Sequence, residues 1–151
     1  MLIREATIED LEDLYLLLRQ MAGECPHYGP PIEEKLMAVI ASTILNGFCI
    51  VTTIDKIVIG SIGAEITTFY HNHDKLIMDR WLYVDPEYRN TRSAWKMMRQ
   101  LATWADEQEI PMMTAVMSGL NIDRTDRLYE RNKFRRIGSS YYRPVGGERK
   151  E

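Results

Sequence analysis

The segment that most restricts how this chain can fold runs from Ser93 to Gln108. Its apolar residues recur at helical spacing, which places them on one face of an α-helix. They are Ala94, Met97, Met98, Leu101, Ala102 and Ala105, whereas Lys96, Arg99, Gln100, Thr103, Asp106 and Glu107 face away. A helix of this kind has to bury its apolar face against a sheet or another helix, so the chain must supply a partner layer.

Two arginines, Arg89 and Arg92, stand just before this helix, in the loop that follows Pro86. The first turn of a helix has unpaired backbone N–H groups with partial positive charge, so cations are mildly unfavourable there unless an anion lies between them. A phosphate bound by these N–H groups and by the arginines has the usual geometry of such a site. The alternative is a solvated basic loop that faces the acidic end of the same helix, residues 106–109.

The rest of the pattern predicts an α/β chain. Strands are predicted at Leu2–Arg4, Phe48–Ile54, Ile57–Phe69, Leu76–Val84 and Met112–Met117, with one or two more within Phe134–Val145. Helices are predicted from Thr7 to the loop at 23–31, from Ile32 to Leu45, from Ser93 to Gln108 and from Asp123 to Arg131. Asp55 and Lys56 form the expected two-residue hairpin connection. This order predicts a mixed, largely antiparallel central sheet flanked by about four helices.

Length, charge and cysteine content exclude several classes of protein. The 151 residues suit one compact domain, predicted at 1–145 with a disordered tail at 146–151. A formal net charge of −3 argues against general nucleic-acid binding. No apolar stretch is long enough for a membrane span, and the N-terminus lacks a signal-peptide pattern. Cys25 and Cys49 have no metal or redox spacing, so we expect free thiols in a reducing cytoplasm.

Two stretches of the chain resemble the GNAT superfamily of N-acetyltransferases. Residues 89–94 (RNTRSA) resemble that family's Gln/Arg-x-x-Gly-x-Gly/Ala motif, with Arg92 in place of the middle glycine. Residues 121–134 (NIDRTDRLYERNKF) resemble its Asn…Leu-Tyr-Glu-x-x-Gly-Phe segment, with Lys133 where a glycine is usual. The opening IREATIEDL and the stretch LYVDPEYR (82–89) extend the resemblance over nearly the whole chain.

The resemblance implies a GNAT-like fold and an acetyl-CoA-dependent N-acetyltransferase. Such an enzyme transfers an acetyl group to a primary amine of a small molecule or a protein by direct attack. Acetyl-CoA would be bound by Leu82, Tyr83, Val84, Arg89, Asn90, Thr91, Arg92, Ser93, Ala94, Asn121 and Tyr129. His27 and Tyr28 lie in the loop that borders the acceptor pocket in family members. No metal is implied, and a homodimer is a possible assembly.

Tyr129 and Asp79 are the catalytic residues that the resemblance implies. The hydroxyl of Tyr129 would protonate the departing CoA thiolate, which a neutral phenol can do. The alternative is that the Tyr129 ring only fills the core. Asp79 would be the general base for the amine, often through water in relatives. Arg80 beside it would instead pair with Glu65 across the sheet.

Weaker signals have structural alternatives. The residues HNHD at 71–74 are metal-ligating types, but they fall between two predicted strands, so we expect a polar turn. Cys25 near His27 would suit a covalent nucleophile, whereas the family transfers acetyl directly. The basic run from Arg124 to Arg136 is interleaved with acids, which favours a solvated face near the 3′-phosphate of CoA over nucleic acid. A CoA-binding protein without turnover also stays open, because two motif glycines are replaced.

Overall fold

The computed structural model describes residues 1–147. Its strands are β1 (Leu2–Glu5), β2 (Phe48–Ile54), β3 (Ile57–Thr68), β4 (Lys75–Val84) and β5 (Met112–Met113). Its helices are α1 (Leu11–Glu24), α2 (Glu33–Asn46), α3 (Ser93–Gln108) and α4 (Ile122–Arg131). The strands form one sheet in the order β1-β2-β3-β4-β5, antiparallel except for the β4–β5 pair. The predicted α/β fold with a mixed, largely antiparallel sheet and four helices is therefore confirmed.

Tight turns set up the antiparallel half of the sheet. Asp55 and Lys56 both have positive φ, 51° and 67°, which is the pattern of a type I′ turn and matches the twist of the β2–β3 hairpin. At Gly47, between α2 and β2, an added β-carbon would lie 2.4 Å from the carbonyl oxygen of Ala64. Only glycine therefore allows the chain to enter β2 this close to β3.

The sheet separates two apolar layers. α3 covers one face with Met97, Met98, Leu101 and Ala105, and α1 and α2 cover the other with Leu14, Tyr15, Leu17, Leu18 and Ile40. Side chains of β4 alternate between these layers, as the pleat of a strand requires. Leu82 and Val84 reach the α3 layer, whereas Trp81 and Tyr83 reach the α1–α2 layer. β4 thus presents side chains to both faces of the sheet.

The structure corrects two predicted strands. β5 has two residues instead of the predicted Met112–Met117, because the chain turns away from β4 after residue 113. Phe134–Val145 forms no strand in the described part of the chain, although one or two were predicted. That segment contains Gly138 and Pro144, and the short β5 offers it little edge to pair with. Residues 148–151 of the predicted tail lie outside the described residues.

Neither a membrane span nor a metal cluster is found in residues 1–147. No helix there is both long and apolar enough to cross a bilayer. No group of three or more His, Cys, Asp or Glu side chains there could hold a metal ion. Residues 71–74 form part of the β3–β4 connection, where the Asn72 side chain accepts the backbone N–H of Asp74 at 3.0 Å. This is the polar turn that the sequence predicts.

Candidate active site

A cleft of about 690 Å³ opens where β4 and β5 part. The two strands pair only at Ile77–Met112 and Met78–Met113, so the edge of β4 from Asp79 to Val84 has no neighbouring strand among the described residues. The cleft is lined by β4, by the start of α3, by residues 115–118 and by one face of α4. Its long wall is therefore an open strand edge, whose backbone groups are free to bind an extended ligand.

A β-bulge in β4 decides which side chains enter this cleft from the sheet. Ala64 pairs with Asp79 and Gly63 pairs with Trp81, so Arg80 is the extra residue in β4. The Arg80 guanidinium turns toward α2, where it donates to the Thr43 hydroxyl at 2.8 Å and pairs with Glu65. The predicted Arg80–Glu65 pair is thus confirmed, and Asp79 points to the opposite face, toward α4.

The structure brings Asp79 and Tyr129 together through Thr114. Oγ1 of Thr114 lies 2.6 Å from Oδ1 of Asp79 and 3.1 Å from the hydroxyl oxygen of Tyr129. Burial raises the pKa of Asp79, and the hydrogen bond from Thr114 opposes that rise. Burial, with the nearby charge of Asp79, raises the pKa of Tyr129 to about 12. At neutral pH Tyr129 is therefore a neutral phenol that can donate a proton.

The ring of Tyr129 also belongs to the core. It packs against the buried cluster beneath α3, and its centroid lies 5.5 Å from that of Phe134. The end of α4 holds it there. Phe134 N–H bonds to the carbonyl of Tyr129 and Lys133 N–H to that of Glu130, with Lys133 at φ 65°. This is a Schellman motif. Packing and a hydroxyl in the cleft are thus compatible features of one residue.

Arg89 is held at the end of α1 by an acid that the sequence analysis did not single out. Its guanidinium pairs with Glu24 at 2.9 and 3.1 Å, donates through Nε to the carbonyl of Val84 at 3.0 Å, and lies over the ring of Tyr83. The Tyr83 hydroxyl donates to the same carboxylate. Burial raises the pKa of Tyr83 and Glu24 raises it further, which keeps this hydroxyl protonated. The partner of Arg89 is thus Glu24, and not the acidic end of α3.

The start of α3 has no side-chain cap. Arg92 is the N-cap residue, with φ 63° and ψ 13° in the left-handed region, and its side chain makes no capping hydrogen bond. The Ser93 side chain is buried and donates to the Thr52 hydroxyl at 2.7 Å, so it faces the sheet. Within residues 1–147, the first N–H groups of α3 therefore have no side chain as acceptor, which suits an anion.

The two positions where basic residues replace motif glycines both have left-handed backbone. Arg92 and Lys133 have φ of 63° and 65°. Glycine adopts this conformation without strain, whereas other residues have a β-carbon that crowds the backbone. The replacements therefore keep the backbone conformation that favours glycine, and they add a cation at each place.

Positive charge collects along the cleft. Arg80, Arg89, Arg124, Arg127 and Arg131 line it, together with Asp79. Within residues 1–147, Arg80 and Arg89 have carboxylate partners, whereas Arg124, Arg127 and Arg131 have none. Arg124 also donates to the backbone carbonyl of Arg89, which joins α4 to the loop before α3. The cleft can therefore stabilise several negative charges on a ligand.

Most of the sequence-predicted cofactor residues lie on this cleft. Its lining includes Leu82, Tyr83, Val84, Arg89, Ala94, Asn121 and Tyr129. Asn90, Thr91 and Arg92 lie in the adjoining loop and do not line it, and Ser93 is turned inward. Thr114, Glu24 and Trp95 are not among the residues predicted from the sequence, and no individual role is predicted for Arg124 there. Residue type and local spacing give no signal for Thr114, Glu24 and Arg124, because their partners are distant in sequence.

The loop after α1 closes one side of the cleft. Tyr28 and Cys25 line the cleft, and the His27 ring lies against Tyr28 and Tyr142, with centroids 4.9 Å away in each case. His27 itself is not part of the lining. Burial raises the pKa of the Cys25 thiol, and Glu24 adds to the rise. A covalent nucleophile needs a lowered pKa, so the structure does not favour Cys25 in that role.

Comparisons with known proteins agree with this geometry. Residues 45–136 match a family model described as an acetyltransferase (GNAT) domain. No curated protein sequence matches the chain. A predicted acetyltransferase from Clostridium acetobutylicum, crystallised with acetyl-CoA, superposes with a TM-score of 0.75 and 18% identity, covering 95% of this chain and 96% of that one.

Two further solved structures carry functional names. An aminoglycoside 6′-N-acetyltransferase from Acinetobacter haemolyticus gives a TM-score of 0.71 at 16% identity, over 94% of this chain and 96% of that one. AAC(6′)-Iy in complex with a bisubstrate analogue, CoA-S-monomethyl-acetylneamine, gives a TM-score of 0.72 at 17% identity, over 94% of this chain and 96% of that one. At such identities the similarity shows a shared fold.

Proposed function

Because the chain belongs to the GNAT family of acetyltransferases, we propose that it transfers an acetyl group from acetyl-CoA to a primary amine by direct attack. The acceptor is a small molecule or an amine on a protein. The observation that carries this proposal is the cleft between β4 and α4. It combines an open strand edge, a neutral phenol at the Asp79 end, and an uncapped helix start at the Val84 end. Arg92 and Arg124 lie at that end without a carboxylate partner among residues 1–147.

The charges of acetyl-CoA suit the Val84 end of the cleft. Its diphosphate would be bound by the first N–H groups of α3 and by Arg92, as expected for an anion at a helix start. Arg124 would bind a phosphate group from the facing helix. The open edge of β4 from Asp79 to Val84 would bind the amide-rich pantetheine arm. One of the similar structures was crystallised with acetyl-CoA, which supports the same cosubstrate here.

At the Asp79 end, Tyr129 is the proposed proton donor. When the amine displaces the thiolate, sulfur needs a proton, and a phenol within reach can supply it. Its pKa of about 12 keeps the proton on Tyr129 until the thiolate forms. Asp79 remains the candidate for the second proton-transfer group, because it is the carboxylate that lines the cleft.

The acceptor amine would enter past the loop after α1. Tyr28 and the His27–Tyr142 pair form an aromatic border there, which suits the apolar or flat part of an amine substrate. Aminoglycosides are acceptors to test, since their acetyltransferases share this fold.

The proposal also places the protein in the cytoplasm, in keeping with two free, buried cysteines. A homodimer is tested by light scattering.

Two measurements test the proposed activity. Acetyl-CoA at 100 times its dissociation constant should stabilise the fold by about 2.7 kcal/mol, seen as a raised melting temperature. A thiol-release assay with a panel of amines, aminoglycosides and lysine peptides should then detect free CoA. Stabilisation without thiol release on any amine would instead support a CoA-binding protein without turnover. A melting temperature unchanged by acetyl-CoA but raised by nucleic acid would refute both.

A further inference from the structure

The hydroxyl of Thr114 lies within hydrogen-bond distance of two groups, and it can donate its single proton to only one of them at a time. Its oxygen is 2.6 Å from the Asp79 carboxyl and 3.1 Å from the Tyr129 hydroxyl. A threonine hydroxyl donates one hydrogen bond and accepts others. If it donates to Asp79, Tyr129 must donate to it; if it donates to Tyr129, Asp79 must be protonated and donate to it. The two directions differ by one proton on Asp79.

We propose that Thr114 is a hydrogen-bond relay between Asp79 and Tyr129, so that Asp79 acts on the leaving thiolate through the Tyr129 phenol and not on the acceptor amine. This inference rests on the proposed acetyl transfer. Tyr129 is the residue that contacts the reacting sulfur, and Thr114 and Asp79 are positioning residues behind it. With Asp79 protonated, all three hydrogen bonds point toward the cleft. With Asp79 ionised, Tyr129 donates its proton to Thr114, so the phenol proton points away from the cleft.

The protons released and taken up in one turnover balance in this scheme. The C–N bond of the amide forms and the C–S bond of the thioester breaks, leaving a thiolate. Sulfur takes the proton of Tyr129, Tyr129 takes that of Thr114, and Thr114 takes that of Asp79. The amine nitrogen releases one proton to water, and Asp79 takes one proton from water before the next turnover. No oxidant or further reactant is needed.

The surroundings of Asp79 act on its pKa in both directions. Burial is the largest cause and raises the pKa, as expected for a carboxyl that has left water, whereas hydrogen bonds from Thr114 and from the backbone lower it. Arg80 beside it is turned to the other face of the sheet, where Glu65 pairs with it. From α4, Tyr129 faces Asp79 directly, and the charge of Asp126 acts on Tyr129 and raises its pKa further. In the described part of the chain, these are the titratable groups that act on the pair.

The first test is made by NMR on the protein without acetyl-CoA. Tyrosine labelled at the ζ carbon reports the state of each phenol, and Tyr129→Phe identifies the Tyr129 signal. We expect this signal to move once as Asp79 loses its proton, far below the pH at which Tyr129 ionises. Asp79→Asn has no carboxyl to titrate at this position, so the pH response of its Tyr129 signal is the baseline. Thr114→Ser should keep the change of the Tyr129 signal with pH, and Thr114→Val should reduce this change nearly to the baseline. Thr103→Val, which removes a hydroxyl bonded to Arg99 on α3, is the matched control and should keep it.

The second test is kinetic. Thr114→Val should slow turnover on the order of 10-fold, the low end for loss of assistance to a general acid. Thr114→Ser should restore most of the rate. In a Tyr129→Phe background, Thr114→Val should slow the reaction no further, because the relay then has no acid to serve. The dissociation constant for acetyl-CoA should stay unchanged in each variant.

Several outcomes would overturn the relay. They are an unchanged NMR step in Thr114→Val, a wild-type rate in Thr114→Val while Tyr129→Phe is slow, or fully additive effects in the double variant. If Thr114→Val does not fold, Asp79→Asn decides the question in a Tyr129→Phe background: no further slowing of turnover supports the relay, whereas additive slowing, as expected of a general base for the amine, refutes it. A protein that shows the NMR step but acetylates no amine refutes the proposed function and leaves the hydrogen-bond relay supported.

Discussion

Tyr129 contributes both a packed ring and a hydroxyl, and one substitution separates the two. In Tyr129→Phe the ring volume stays, so core packing beside Phe134 survives. We expect a loss of about 0.5–1.5 kcal/mol in the free energy of unfolding from the lost hydrogen bond. Turnover should fall about 10–100-fold, with acetyl-CoA affinity nearly intact. Urea unfolding and thiol-release kinetics measure both. Turnover equal to the wild type would leave Tyr129 with a packing role alone.

Asp79 should make stability depend on pH in a predictable direction. Its folded pKa is raised by burial, so the unfolded chain, with an Asp pKa of about 3.9, loses its proton first as pH rises. The free energy of unfolding therefore falls between that value and the raised folded pKa. Asp79→Asn cannot ionise, and its stability relative to wild type should increase from about pH 3 to about pH 7. Urea unfolding at both values measures this, and a pH-independent difference would contradict it.

Arg89 and Arg92 should separate into a structural and a ligand-binding arginine. Arg89→Ala leaves Glu24 without its cation, and a broken charged hydrogen bond in a half-buried place costs about 1–2 kcal/mol of apo stability. Arg92→Ala removes an exposed cation from a helix start and should leave apo stability nearly unchanged. It should, however, reduce the stabilisation by acetyl-CoA. Melting curves with and without ligand test the pair; equal apo losses in both variants would show that this division is wrong.

At the scale of elements, the end of α4 has a residue that strains the backbone. Lys133 occupies the left-handed position of the Schellman motif, where a residue with a β-carbon costs about 1–2 kcal/mol and glycine about 0.5–1 kcal/mol of chain entropy. Lys133→Gly should therefore raise the free energy of unfolding by about 0.5–1 kcal/mol. Lys133→Ala removes the same charge without relieving the backbone, so it serves as control. Equal effects of both variants in urea unfolding would assign the change to charge.

Elements with strong local periodicity could be predicted from the sequence. The apolar stripe of α3 is buried as expected, and the Asp55–Lys56 turn and the strands beside it are where alternation and turn chemistry place them. The length of β5 could not be predicted, because a strand ends where its neighbour leaves it. Thr114 looks like a strand residue by composition and comes to lie between Asp79 and Tyr129 only because the chain diverges from β4.

The site shows the same division. Asp79 and Tyr129 were predicted as site residues from the family resemblance, although 50 positions separate them. Their link, Thr114, lies 35 residues from Asp79 and 15 from Tyr129. Glu24 meets Arg89 across 65 residues. No local pattern encodes such contacts, because the fold alone brings these segments together.

At the scale of the whole molecule, the charge of the cleft should control ligand binding. The chain has a net charge of −3, yet the cleft concentrates arginines, three of them unpaired within residues 1–147. Raising salt from about 0.1 M to about 1 M shortens the Debye length from about 10 Å to about 3 Å and screens these charges. The affinity for acetyl-CoA should fall several-fold, whereas that for uncharged S-acetylpantetheine should not. Calorimetry measures both, and Arg124→Ala should weaken the salt dependence; identical salt slopes for the two ligands would contradict this.

The parting of β4 and β5 also bears on how the molecule holds together. Two residue pairs join β5 to the rest of the sheet, and beyond them α4 is tied back by the Thr114–Asp79 bond, by Arg124 on the Arg89 carbonyl, and by the Tyr129 ring. A ligand lying along the open edge would take the place of the missing strand and connect β4 to the segment that follows β5. In the proposed enzyme, acetyl-CoA would then be part of the architecture as well as a reactant. Release of the product CoA would return the segment after β5 to its looser attachment after every turnover.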